Sequence, residues 1–210
     1  MSALTTEKLC IRNGKFEIRN VNLLLEEGQT GVLTGKSGSG KSTLIYAIGG
    51  AIPPESGYIY YGGRQMYEAE REIRKEMSLV YAQPNFNTEL TPKILGKEIH
   101  KFEPWFEGQA FLAGMEQLGV DSAMRVKLLS EEQQRKMMVL MALCRKPKLL
   151  VMDEGTTGME EASRMEIWEM IREYRKNREL TILCSTHHEE EIAAADHVWN
   201  LEENTCHSVG

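Results

Sequence analysis

Gly35-Lys36-Ser37-Gly38-Ser39-Gly40-Lys41-Ser42 satisfies G-x-x-x-x-G-K-[ST] at every fixed position, and its neighbours supply the context that pattern needs. Before it, Thr30 to Thr34 (TGVLT) follows a turn marked by Gly28 and reads as a short buried strand. After it, Thr43 to Ile48 has the apolar density of a helix. Glycines let the backbone curl so that successive N–H groups point at one centre. The helix N-terminus adds a field that favours anions, Lys41 can reach outer phosphates, and Ser42 can hold Mg2+. The stretch therefore predicts a nucleoside triphosphate site contacted by Gly35, Lys36, Ser37, Gly38, Ser39, Gly40, Lys41, Ser42 and Thr43.

Working outward, Leu9, Ile11, Phe16, Ile18 and Val21 alternate around Asn13-Gly14, the pattern of a β-hairpin or meander. Pro53-Pro54 and Gly57 read as breakers of the helix begun at Thr43, and Tyr58 to Tyr61 as a strand ending at Gly62-Gly63. Met77 to Ala82 reads as a buried strand leading to Gln83-Pro84. From Thr91 to Leu128 strand signals fade into short helices, with Pro92 suited to a first turn. Ser130 starts a long helix ending near Pro147. Leu149 to Met152 and Thr181 to Cys184 read as buried strands around an amphipathic helix, Glu161 to Asn177.

Strands alternating with helices predict an α/β fold. Its parts are a P-loop NTPase core of mostly parallel sheet, an N-terminal antiparallel β subdomain, and an inserted α-helical subdomain at about residues 88–145. The expectation is a single domain over residues 1–210.

The net charge of −6 argues against a nonspecific nucleic-acid binder. No apolar run approaches the roughly 20 residues that cross a bilayer. The opening MSALTTEKLC lacks the charged-then-apolar pattern of a secretory signal, so a cytoplasmic chain is expected. Cys10, Cys144, Cys184 and Cys206 form no C-x-x-C pair, which points to reduced thiols rather than a metal site.

A second phosphate-handling element is expected on a neighbouring strand. Leu149-Leu150-Val151-Met152-Asp153-Glu154 supplies four apolar residues and then two carboxylates. Asp153 at the strand tip would help position Mg2+ through Ser42 or metal-bound water, and Glu154 would polarise the attacking water.

Taken in order, these elements resemble the nucleotide-binding domain of ABC ATPases over nearly the whole chain. On that resemblance, Gln83 in YAQPN stands where the family has a glutamine sensing the metal site and the membrane subunit. Leu129-Ser130-Glu131-Glu132-Gln133 stands at the signature usually written LSGGQ, and Thr157-Gly158-Met159-Glu160 at the S-[AG]-L-D loop. His187, after TILCS, matches the switch histidine that contacts the γ-phosphate. The resemblance implies an ATPase with ATP and Mg2+, catalytic Glu154, His187 and Gln83, and metal contacts from Ser42, Gln83 and Asp153. It implies a homo- or heterodimer in which each ATP lies between one chain's phosphate loop and the other's signature, including Ser130 and Gln133. It also implies a transmembrane permease on a separate chain, with this chain peripheral on the inner face of the cell membrane. Phe16 is the nearest candidate for an aromatic against adenine.

The signature departs from the family where Glu131 and Glu132 replace both glycines. Ser130-x-x-Gln133 is also a capping-box pattern, and first-turn glutamates suit the helix macrodipole. Facing a triphosphate, each carboxylate would cost roughly 3 kcal/mol at about 5 Å and an effective dielectric near 20. The composite site using this signature is therefore expected to be weakened or inactive. In a homodimer both sites would suffer; in a heterodimer, only the partner's ATP. Retained Lys41, Asp153, Glu154 and His187 favour the heterodimer. Gly155 replaces the usual proline, and the Thr-Gly-Met loop leans towards exporter-type subunits. The alternatives are a soluble ABC ATPase scaffold and a regulatory subunit with impaired hydrolysis.

Overall fold

The computed structural model describes residues 1–14 and 16–209. Strands β1 (Ser2–Asn13) and β2 (Phe16–Val21) form the expected hairpin, Asn13 pairing with Phe16 and Gly14 turning at φ +62°. The long β1 also pairs antiparallel with β3 (Leu24–Glu26) and β5 (Ser56–Tyr61), and β5 continues to β6 (Arg64–Gln65). These five strands make the antiparallel sheet among the described residues.

Gly57 lies inside β5 and does not end the preceding helix. There β1 bulges around Lys8, and a Cβ on Gly57 would sit 2.4 Å from the Lys8 carbonyl oxygen. The helix α1 (Lys41–Ile48) instead stops at Gly49-Gly50, where Gly50 takes φ +71°.

The second sheet has the order β11-β10-β4-β9-β8-β7: β4 (Thr30–Thr34), β7 (Met77–Val80), β8 (Leu149–Asp153), β9 (Thr181–Ser185), β10 (His197–Glu202) and β11 (Thr205–Val209). Every pairing in it is parallel except β10 with β11. The C-terminal hairpin and the short charged helix α2 (Glu70–Glu76), whose one buried residue is Ile73, carried little periodic signal.

Between β7 and β8 run α3 (Pro92–Phe102), α4 (Gly108–Gln117) and α5 (Glu131–Leu143). Pro92 occupies the first turn of α3, and the Thr91 hydroxyl accepts the Ile94 N–H at 3.3 Å. Helices α6 (Glu161–Asn177) and α7 (Glu189–Ala193) follow β8 and β9.

Alternation along the buried parallel strands divides the core. Val32, Leu150, Met152, Ile182 and Cys184 pack with the α5 and α6 side, around Phe111 and Met137. Leu33, Leu149, Val151 and Leu183 pack with α1 and the antiparallel sheet. Each such buried side chain contributes roughly 1.5–3 kcal/mol. The parallel register aligns Leu33, Ser185 and Asp153, so β4, β9 and β8 end together at one edge.

Candidate functional site

The glycine-rich loop leaves that edge from β4 and enters α1. Gly35, Gly38 and Gly40 take φ +140°, +79° and +102°, conformations that side-chain-bearing residues rarely adopt. A Cβ on Gly35 would stand 2.4 Å from the Leu201 carbonyl oxygen, and one on Gly40 2.4 Å from the Phe16 ring. Phe16 thus rests against the loop.

Gly40 caps α1 without a side-chain hydrogen bond, and the first turn holds no acidic residue. Lys41 is buried, its Nζ donating to the Gly35 and Lys36 carbonyls at 2.9 and 3.1 Å. Burial lowers its pKa, opposed by the carboxylates of Glu154 and Asp153. Cavities of about 630 and 290 Å3 flank the loop; His187 lines the first and Phe16 the second.

Asp153 is wholly buried at the tip of β8. Its Oδ1 accepts from the hydroxyls of Ser42 at 3.0 Å and Ser185 at 2.9 Å. Its Oδ2 is also buried, with no hydrogen-bond partner among the described residues. A buried carboxylate oxygen left open beside a hydroxyl is the donor set a hard divalent cation or its bound water requires, so the residues present fit Mg2+. Burial and the neighbouring Asp153 carboxylate raise the pKa of the Tyr46 phenol, keeping it neutral.

Glu154 follows at φ +50°, unusual for a residue with a side chain. Its N–H is accepted by Ser185 Oγ at 2.9 Å, and its carboxylate lies 3.6 Å from His187 Nε2. The structure therefore brings Lys41, Ser42, Asp153, Glu154 and His187 together. Gln83 is exposed beyond the end of β7, and among the described residues no hydrogen bond joins it to Ser42 or Asp153.

Ser130 and Gln133 bond to each other rather than reaching the phosphate loop of their own chain. The Ser130 hydroxyl accepts the Gln133 N–H, and the Gln133 side chain accepts the Ser130 N–H, each at 3.1 Å. The two signature glutamates differ. Glu132 folds back, accepting from Ser163 Oγ and lying 3.2 Å from Lys136 Nζ, which also meets Glu166 at 2.6 Å. The Ser163 bond, then Lys136, hold its carboxyl below the ordinary 4.5. Glu131 is exposed at the first helical position.

Two participants escaped the sequence. Ser185 joins Asp153 to the Glu154 backbone, and Arg135 Nη1 donates to the Glu154 carbonyl at 2.9 Å. The signal for Ser185 was its place at the end of TILCS, level with Asp153; Arg135 had none. Cys144 and Cys206 have thiols pushed up to about 12 by burial, so they are not thiolates at neutral pH. Cys10 lies near Glu17 and Glu55, but Arg12 pairs with both carboxylates and Arg19 with Glu17.

A glycine-rich loop running from the central strand of a mostly parallel sheet into a helix defines the P-loop NTPase class of α/β proteins. The family model described as "ABC transporter" matches residues 18–157, and the chain belongs to that family as a nucleotide-binding domain.

"Phospholipid-transporting ATPase ABCA3" of Rattus norvegicus is 32% identical over 181 residues, 82% of this chain. The chain spans 10% of that relative's length. "Energy-coupling factor transporter ATP-binding protein EcfA2" of Clostridium acetobutylicum is 27% identical over 91% of this chain and 71% of its own. "Probable iron export ATP-binding protein FetA" of Escherichia coli is 28% identical over 88% and 84%. Among solved structures, an ATP-binding subunit of an ABC transporter matches with TM-score 0.85 at 20% identity, over 99% of this chain and 90% of that one. A dimeric post-hydrolysis ATP-binding cassette bound to ADP and Pi matches with TM-score 0.84 at 19% identity, over 99% of both. These two likenesses show the fold.

Proposed function

We propose that this chain is a single-domain ATP-hydrolysing subunit that drives a transmembrane permease on a separate chain. The observation that carries the reading is the convergence of buried Lys41, the Ser42–Asp153 bond and the Glu154–His187 pair at one sheet edge. Backbone N–H groups of the loop and of α1 would cradle the phosphates, and Lys41 would exchange its loop carbonyls for phosphate oxygens. Ser42 and Asp153 would hold Mg2+, which when bound neutralises phosphate charge, with Gln83 joining from the segment after β7. Glu154 would orient and polarise the attacking water, with His187 beside it on the γ-phosphate.

Residue placement also supports a docked partner. A groove of about 390 Å3 lies between β7 and helices α3 and α5, lined by Leu79, Tyr81, Phe86 and Ile99. Phe102, at the end of α3, is 82% exposed. No described helix is long and apolar enough to cross a membrane. The word export in the name of FetA supports an outward-pumping role; the chain would sit at the inner membrane face.

The signature bears on the dimer, whether homo- or heterodimeric. With Glu132 tied to Ser163 and Lys136, Glu131 is the carboxylate left to oppose a partner's ATP. That halves the expected repulsion and still weakens the composite site.

The test is Mg-ATP turnover by the purified chain, alone and coexpressed with its membrane subunit. Turnover in the complex, lowered about 10²- to 10⁴-fold by Glu154→Gln with ATP binding retained, is expected. ATP binding with no turnover in either setting would replace the motor with a regulatory nucleotide-binding subunit.

A further inference from the structure

We propose that Arg135 is a positioning residue for hydrolysis, gripping the Glu154 peptide from the helix that carries the signature. The inference rests on Glu154 acting on the attacking water. Glu154 sits at φ +50°, a backbone state that persists only when its surroundings hold it.

Its peptide groups are held from separate elements. Ser185 on β9 accepts the N–H at 2.9 Å. The carbonyl takes the Thr157 N–H at 3.1 Å, which closes the local turn, and Arg135 Nη1 at 2.9 Å. The Thr157 bond is local and moves with the loop. Arg135 is, among the described residues, the hydrogen-bond link from the Glu154 peptide to α5. Among the described residues no carboxylate pairs with Arg135, so its charge-assisted bond is directed at this one carbonyl.

The consequence is a connection within one chain. Arg135 lies two residues beyond Gln133 in the same helix, and Ser130 and Gln133 form the capping box that closes the N-terminus of α5. A shift of α5, such as engagement of its N-terminus by a partner would cause, pulls on the Glu154 carbonyl and re-aims its carboxylate relative to His187. The other end of the connection, α6, is fastened to α5 through the Lys136 bridge between Glu132 and Glu166.

The experiment compares wild type with Arg135→Met, which keeps the aliphatic stem, and Arg135→Lys, which can still donate to the carbonyl. For Mg-ATP, Arg135→Met is expected to lower kcat roughly ten- to hundredfold while KM stays within about twofold, and Arg135→Lys to recover most of the loss. Hydrogen exchange of the Glu154 and Gly155 amides should accelerate in Arg135→Met and return towards wild type in Arg135→Lys. Unchanged kcat in Arg135→Met, or KM rising in parallel with the loss, overturns the proposal. Unchanged exchange also overturns it, and that readout needs no turnover. A wild-type chain that binds ATP without turnover sinks the hydrolysis reading instead, and the exchange result still decides whether Arg135 holds the peptide.

Discussion

Two helix N-termini in this molecule stand in opposite states. At α1 the cap is Gly40, no side chain bonds the first N–H groups, and no carboxylate lies in the first turn. At α5 the capping box of Ser130 and Gln133 takes up two backbone N–H groups, and Glu131 and Glu132 occupy the positive end of the dipole. Helix ends of equal intrinsic polarity thus differ in what they can take from outside. The first keeps its donors for an external anion, with a buried lysine beside them. The second has spent two of its donors internally and added negative charge. An incoming phosphate gains at α1 and is opposed at α5.

Breaking the first end should give the largest effect. Lys41→Ala is expected to lower ATP affinity on the order of a hundredfold, because two charge-assisted bonds to phosphate oxygens disappear. Equilibrium titration with a fluorescent ATP analogue measures it, and unchanged affinity would move the phosphate site elsewhere.

Opening the second end sharpens the contrast between its two carboxylates. Glu131→Gly is expected to raise ATP turnover of the assembled dimer about tenfold, or about 1.4 kcal/mol. That is less than the roughly 3 kcal/mol of a desolvated carboxylate, because Glu131 is exposed and screened by solvent. Glu132→Gly should raise it less and also loosen the attachment of α5 to Ser163 and Lys136. Equal gains from both would show that Glu132 does not stay folded back.

The smallest effect is one of pH. Because Ser163 and Lys136 depress the Glu132 pKa below 4.5, its contribution to folding is complete above that value. It is lost as pH falls through the depressed folded value. The contribution is below about 1 kcal/mol for a carboxylate this exposed. Thermal unfolding of wild type and Glu132→Gln should differ near neutrality and converge at acid pH; a constant difference would assign the loss to packing.

Much of the nucleotide end was legible because its signals are local. Gly35, Gly40 and Lys41 announce the loop by spacing, and LLVMDE announces a buried strand ending in carboxylates. The capping box of Ser130 and Gln133 was equally plain, since three residues suffice to define it. Gly57 misled for a related reason. A glycine marks an unusual backbone, but whether that is a break or the close approach of β1 depends on a strand nearly 50 residues away. The C-terminal hairpin was missed, although the Leu201 carbonyl in β10 leaves no room for a side chain at Gly35.

By itself the sequence determined the class of fold, the glycine-rich loop between strand and helix, and the place of Asp153 and Glu154 at the end of a buried strand, because each is written in a short run of chain. Only the tertiary structure decided that Ser185 joins Asp153 to Glu154, that Arg135 holds the Glu154 carbonyl, and that Glu132 folds back while Glu131 stays exposed. Those pairings span 19 to 32 residues and depend on strand register and on the packing of α5 against α6. No local spacing encodes them.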